Sequence, residues 1–214
     1  MSGITPYLIK FANAKYPREI RIEVAFIVTQ IFSITKTAIR LFIAGGGILV
    51  LPKLLDLNME DNKDINLLAI DCIITLIQYK LILPSDLLSN LILLGIPERL
   101  IVVIDTLVRE RDDTTSYKFL LKAFDILFAF GAGPSHIQEK ICESEILPLL
   151  FESARYFDTA CLYKLCSFLY VLASNPLLLN CLENFGIIPL CSILLKHGLE
   201  LKDDSAQVTI KFNT

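Results

Sequence analysis

A chain of 214 residues with a mean hydropathy of +0.58 is long enough for one large domain or a continuous stack of small units, and apolar enough to raise the question of a membrane. A spanning helix needs about 18–20 consecutive apolar residues; every apolar run here is broken sooner, by Thr29 and Gln30, by Lys53, or by Glu98 and Arg99, so no membrane span is expected. The net charge of −3 joins a basic start, six Lys/Arg against two Glu over residues 1–40, to an acidic remainder, which points away from a nucleic-acid surface and suits a protein partner with a charged patch.

In chain order, Lys10 and Lys15 first interrupt any signal-peptide core, so a cytoplasmic chain is expected. REIRIEVAFIVTQIF then sets Ile20, Val24, Ile27 and Ile31 on one helical face. TAIRLFIAG reads as a short helix, and after three glycines comes a compact element, GILVLPKLL from Gly47. A longer helix follows in KDINLLAIDCIITLI, with Ile65, Leu68, Cys72 and Leu76 in line. The same order returns: PSDLLSNLILL, GIPERLIVV from Gly95, and TSYKFLLKAFDILFAF with its stripe of Leu120, Ala123, Phe124 and Leu127. It returns again as PSHIQEKICES, EILPLLFES from Glu145, and DTACLYKLCSFLYVLA with Leu162, Leu165, Leu169 and Leu172. PLLLNCLENF and GIIPLCSIL from Gly186 begin one more round, and LKDDSAQVTIKFNT starts like a third helix and stops.

The compact elements begin 48, 50 and 41 residues apart. Self-similarity at that period, with a short helix, a tight turn and two further helices per round, predicts an all-α fold: an α-solenoid of armadillo/HEAT-like repeats forming a single domain over residues 1–214. The units are 4–34, which lacks a first helix, then 36–80, 84–131, 134–174 and an incomplete 176–214. Gly45, Gly46 and Gly47 fall where the short helix must turn into the second one, and Gly95 and Gly186 occupy the matching slots. A phosphate loop would continue Gly-Lys-Ser/Thr, but Ile48 and Leu49 follow, so the glycines are read as structural.

Chemistry-bearing constellations are missing from the sequence. It has no Gly-x-Gly-x-x-Gly loop, no His-x-x-x-His pair and no Gly-x-Ser-x-Gly elbow, and Arg111-Asp112 lacks the flanking residues of a kinase catalytic loop. The six cysteines, with no Cys-x-x-Cys pair among them, are expected as buried reduced thiols, and the two histidines, His136 and His197, have no second ligand nearby. No metal, cofactor or catalytic residue is expected. Binding is the remaining role. Stacked third helices line up into a long face, and the polar residues predicted there include Asp64, Asp71 and Gln78 together with the partner-binding candidates Arg18, Arg21, Gln30, Lys118, Lys122, Tyr163 and Lys164. Arg18, Arg21, Lys118 and Lys122 are the first of these.

The stretch FIAGGGILVLPKLLDL ahead of a long apolar helix resembles an armadillo repeat, whose second helix opens with Gly-Gly-Ile and a Leu/Val run. Over residues 18–56, REIRIEVAFIVTQIF and RLFIAGGGILVLPKLL are similar to the non-catalytic C-terminal region of the septation-initiation and mitotic-exit network kinases, relatives of the MAP kinase kinase kinase epsilon group. That resemblance implies a module recruiting the kinase to a GTP-bound Ras-like small GTPase at the spindle pole or division site. No kinase domain precedes Met1, so the chain is expected either as an excised piece of such a kinase or as a stand-alone helical adaptor. A general armadillo/HEAT scaffold holding a protein or peptide is the alternative, though without any Trp it lacks the groove ladder of an importin-alpha-type cargo receptor. Incomplete repeats at both ends would expose apolar faces, which a homodimer or another partner would cover.

Overall fold

The structure, a computed structural model, describes residues 3–55, 59–79, 84–109 and 113–192, and among these there are helices and turns and no strand. His197 and the third-helix start after residue 200 lie outside them. Helices α1 (Thr5–Phe11) and α2 (Arg18–Ile34) come first. Next are α3 (Lys36–Ala44), a 3-10 turn over Gly47–Val50 running into α4 (Leu51–Leu54), and α5 (Met59–Tyr79). The same triplet recurs as α6 (Pro84–Leu93), α7 (Ile96–Arg109) and α8 (Thr114–Gly131). It recurs again as α9 (Ser135–Glu143), α10 (Ile146–Ser153) and α11 (Thr159–Ala173). A 3-10 turn over Pro176–Leu178 leads into α12 (Leu179–Asn184).

Local chemistry sets these boundaries. Thr35 caps α3 by accepting from the Ala38 N–H at 3.1 Å, Asp113 caps α8 by accepting from Thr115 and Ser116, and Asp158 caps α11 by accepting from Cys161. Each satisfies N–H groups that the first turn leaves without helical partners. At the junction predicted from the three glycines, Gly46 has φ +81° and turns α3 into the next element, as Gly95 does at φ +68° and Gly186 at φ +87°. The register is therefore one residue earlier than the match through Gly47 suggests. Gly47 is required for a different reason: a Cβ there would lie 2.5 Å from the Phe42 ring, which is itself buried.

The third helices stack in sequence, α2 on α5, α5 on α8 and α8 on α11, while α7 lies against both α8 and α10. One apolar core runs the length of this stack. Its walls repeat: Ala69, Ile70 and Ile73 of α5 correspond to Ala123, Phe124 and Leu127 of α8 and to Phe168, Leu169 and Leu172 of α11, all buried. Edge-to-face ring pairs tie neighbouring elements, Phe32 with Phe42 at 5.9 Å between centroids and Phe124 with Phe157 at 5.2 Å.

In α2 the buried side is Val24, Ala25, Val28 and Phe32, whereas Ile20 and Ile27 of the expected stripe are 40% and 38% exposed. The repeat explains the difference. Ile20 and Ile27 occupy the positions of Ile65 and Cys72 in α5, which are buried against α2; the Cys72 thiol lies 3.8 Å from the Thr29 hydroxyl. Among the described residues α2 begins the row of third helices, so this side has no third helix to meet.

Candidate protein-binding face

The exposed side of the stacked third helices is crossed by ion pairs that join each helix to the next. Arg18 of α2 pairs with Asp64 of α5, Asp71 of α5 with Lys122 of α8, and Asp125 of α8 with Lys164 of α11. Nearer the helix starts, Lys63 reaches Asp113 at 3.3 Å and the Tyr117 hydroxyl donates to Asp158 at 2.7 Å. The N-cap carboxylates therefore do two things, ending their own helix and holding the preceding one.

Asp71 and Asp125 are equivalent positions, each directly after a buried apolar residue (Ile70, Phe124) and two before another (Ile73, Leu127). Lysines on the next helix answer them directly, from positions that are not equivalent, Lys122 and Lys164. Lys122 also lies 4.5 Å from the Phe119 ring centroid. The arrangement neutralises much of the face, and every paired side chain in the three rungs keeps more than a quarter of its surface in solvent. Exposed pairs of this kind contribute about 0–1 kcal/mol each.

Of the seven residues predicted here, Arg18, Lys122 and Lys164 are in the ladder, and Lys118, Gln30 and Tyr163 are exposed beside it. Lys118 and Tyr163 hold equivalent positions on neighbouring helices, and Tyr163 is 71% exposed. Arg21 does not belong to this face. It is 3% exposed, and its guanidinium donates to the Ala12 carbonyl at 3.4 Å, to Asn62 Oδ1 at 3.1 Å and to the Lys53 carbonyl at 3.2 Å. Ala12 ends α1 and Lys53 is in the last turn of α4, so the cation sits against the negative ends of two helices. It also grips Asn62, whose φ of −125° kinks the start of α5.

Asp125, Asp113 and Asp158 were absent from the sequence-derived set. The two caps carry a legible signal, Asp followed by Thr before an apolar periodic run. Asp125 becomes legible only when α5 and α8 are superposed in register. Hydrogen bonds from the Ser116 hydroxyl and the Thr115 N–H hold the Asp113 carboxyl down to about 2. Burial opposes ionisation of Asp158, but donation from Cys161 and the Tyr117 hydroxyl outweighs it and keeps the carboxyl below the usual range. The same contact pushes Tyr117 up to about 12.

The cysteines differ in burial. Burial pushes the Cys72, Cys142 and Cys161 thiols up to about 12, and they pack as small apolar groups. Cys166, in the middle of α11, and Cys191 are exposed, and Cys181 is half-buried with its thiol donating to the Cys142 carbonyl at 3.1 Å, against the expectation of six buried thiols. His136 meets the Ser89 hydroxyl at 3.1 Å across α6 and α9. Among the described residues no three His, Cys, Asp or Glu side chains converge on a metal-sized space, and no single helix is long and apolar enough to cross a membrane.

No family model matches the chain. In sequence it is 26% identical over 199 residues to cytokinesis protein sepH of Aspergillus terreus, a match covering 92% of this chain and 15% of that protein. The sepH proteins of Aspergillus niger and Emericella nidulans are each 25% identical over the same span. The chain therefore spans about 15% of the length of the curated relatives it matches. Among solved structures, a designed armadillo repeat protein in complex with the peptide (KR)4 superposes with a TM-score of 0.60 at 18% identity, covering 86% of this chain and 71% of that one. An engineered protein superposes with a TM-score of 0.57, again at 18% identity, with 86% and 68% covered. The fold is thus an all-α solenoid of armadillo type, and its sequence is distantly related to that of the fungal cytokinesis protein sepH.

Proposed function

We propose that this chain is a non-catalytic interaction module of cytokinesis signalling that recruits a septation-type kinase to a GTP-bound Ras-like small GTPase. The observation that carries this reading is the sequence match to sepH, which runs through 92% of the chain and so includes every repeat. The resemblance of residues 18–56 to the C-terminal region of septation kinases supports the GTPase as partner, and with it a cytoplasmic location at the spindle pole or division site.

Lys118, Tyr163 and Gln30 supply the exposed contacts in this reading, and Arg18, Lys122 and Lys164 a reserve of cations. A partner carboxylate displacing Asp64, Asp71 or Asp125 exchanges one exposed pair for another, at a cost of about 0–1 kcal/mol per rung. Apolar side chains exposed at the ends of the stack, Ile34 at 66% and Leu177 at 77%, are the surfaces a homodimer would use. A second reading, a general scaffold holding a peptide along the third-helix face, is favoured by the peptide carried by the designed armadillo neighbour.

Titration of the chain with the network's GTPase, loaded with a GTP analogue or with GDP, tests the proposal when run beside Lys118→Glu and Tyr163→Ala. Binding that prefers the GTP form and weakens in both variants is expected. Equal binding of the two nucleotide forms, or none from a folded monodisperse chain, would remove the effector reading and leave the scaffold. Sedimentation equilibrium on the same samples reads the homodimer directly.

A further inference from the structure

The last of the described helices, α12, meets the stack through a pair of cysteines. Cys142 is the penultimate residue of α9 and 2% exposed, and Cys181 lies in the first turn of α12, half-buried. The Cys181 thiol donates to the Cys142 carbonyl at 3.1 Å, across 39 residues of sequence, and it also meets the Cys142 thiol. The two sulfurs therefore face each other where α9 and α12 pack. The other buried thiols have different neighbours: Cys72 meets the Thr29 hydroxyl at 3.8 Å, and Cys161 meets the Asp158 carboxylate.

This contact falls on a part of the stack with little else to hold it. Helix α12 has six residues, against nine in α9 and ten in α6. A helix that short is held by its packing rather than by its own hydrogen bonds. It buries Leu182, and the turn before it buries Leu178, while Leu177 and Leu179 between them are 77% and 48% exposed. Solenoid stability is a sum of neighbour contacts, and the elements with fewest of them open first. A covalent bond to α9 acts on an element that depends on it.

The two cysteines differ in access. Cys181 keeps contact with solvent, whereas burial, with Cys181 alongside, pushes the Cys142 thiol up to about 12. A small oxidant entering from solvent meets Cys181 first, and Cys142, covered by the packing, is the sulfur already in place to answer it.

We propose that Cys142 and Cys181 are a modification site, a reversible intramolecular disulfide that a peroxide closes and that clasps α12 to α9. Hydrogen peroxide oxidises the Cys181 thiol to a sulfenic acid, its O–O bond breaking and one oxygen leaving as water. The Cys142 sulfur then attacks the Cys181 sulfur, the S–S bond forms, and the hydroxyl leaves with the Cys142 proton as a second water. Two electrons pass from the thiols to the peroxide, and a dithiol reductant returns them by exchange. A disulfide formed in this way in a reducing compartment is transient and redox-sensing, so the oxidant decides how firmly this end of the stack is held.

The test uses the whole 214-residue chain carrying Cys166→Ser and Cys191→Ser, which leaves Cys72, Cys142, Cys161 and Cys181. Reduced protein is treated with hydrogen peroxide, freed of oxidant and denatured for thiol counting, and a chymotryptic digest without reductant locates any link. The four free thiols are expected to fall to two, with Cys142 joined to Cys181, and dithiothreitol should restore all four. The oxidised chain should melt about 5 °C or more above the reduced one, with amide protection gained in α9 and α12 and unchanged in α2. In the same background Cys181→Ser should keep its thiols, and Cys142→Ala should leave Cys181 as a sulfenic acid that dimedone captures; neither should show the rise in melting temperature. An unchanged thiol count, a link through Cys72 or Cys161, an equal loss of thiols in Cys181→Ser, or a disulfide that forms without raising the melting temperature would overturn the proposal.

Discussion

Arg21→Met separates a structural role for Arg21 from a role in partner binding. Methionine retains much of the aliphatic stem but withdraws the hydrogen bonds donated to Asn62 Oδ1 at 3.1 Å, the Lys53 carbonyl at 3.2 Å and the Ala12 carbonyl at 3.4 Å. A bond from a charged donor contributes about 1.5–3 kcal/mol net, and the longest of the three lies near the geometric limit and adds little. Taking the two shorter bonds, and allowing that the half-buried Lys53 carbonyl gains water, the loss is about 2–5 kcal/mol. For a chain of this size about 2–4 °C of melting temperature accompanies each kcal/mol. Solenoid stability is a sum of neighbour contacts, so the damage should be local. Amide exchange by mass spectrometry is expected to show α1, α4 and the start of α5 losing protection while α8 and α11 keep theirs. A melting temperature unchanged within about 1 °C, or protection lost evenly along the stack, would refute this account of Arg21.

Gly131→Ala would put a Cβ 2.8 Å from the fully buried Phe168 ring, and a cost of about 1–3 kcal/mol is expected from chemical denaturation, partly relieved by adding Phe168→Leu. The depressed Asp113 and Asp158 carboxyls stabilise α8 and α11 above the unfolded value of about 3.9, and that contribution is lost as pH falls through the folded values, about 2 for Asp113. Exchange protection at the starts of α8 and α11 should therefore fall with acid, and Asp113→Asn should flatten the dependence at α8. Brief maleimide treatment of the native chain should label Cys166 and Cys191 ahead of Cys72 and Cys161, as peptide mapping would show; early labelling at Cys72 would contradict its burial.

The repeat itself was legible because period and composition both carry it. Apolar spacings of three and four marked the third helices, and glycine marked the turns that need a positive φ. What escaped depended on the relation between helices. Arg21 has a surface residue's composition, and only the convergence of two helix ends on it makes burial favourable. Ile20 and Ile27 read as core because their counterparts in α5 are core; exposure comes from their place at the edge of the row, which periodicity within one helix does not encode. Asp125 illustrates the same limit, since Lys164 is 39 residues away and becomes its partner through stacking.

The ladder on the third-helix face is a weak contributor to the stack that carries it. Its three rungs, each partly solvated, contribute together no more than a few kcal/mol. A single fully buried Leu or Phe contributes about 1.5–3 kcal/mol, and α8 alone buries Leu120, Phe124, Leu127 and Phe130. The charges are therefore free to vary without unfolding the repeat, and the core is not. Where equivalent positions do differ, Arg99 bonding the Leu55 carbonyl and Leu149 standing 44% exposed, the surface contact changes while Ile96, Leu100 and their counterparts Ile146 and Leu150 stay buried. In a solenoid, binding specificity and stability are thus set by different residues of the same helices, and surface differences between repeats are the informative place to look for partners.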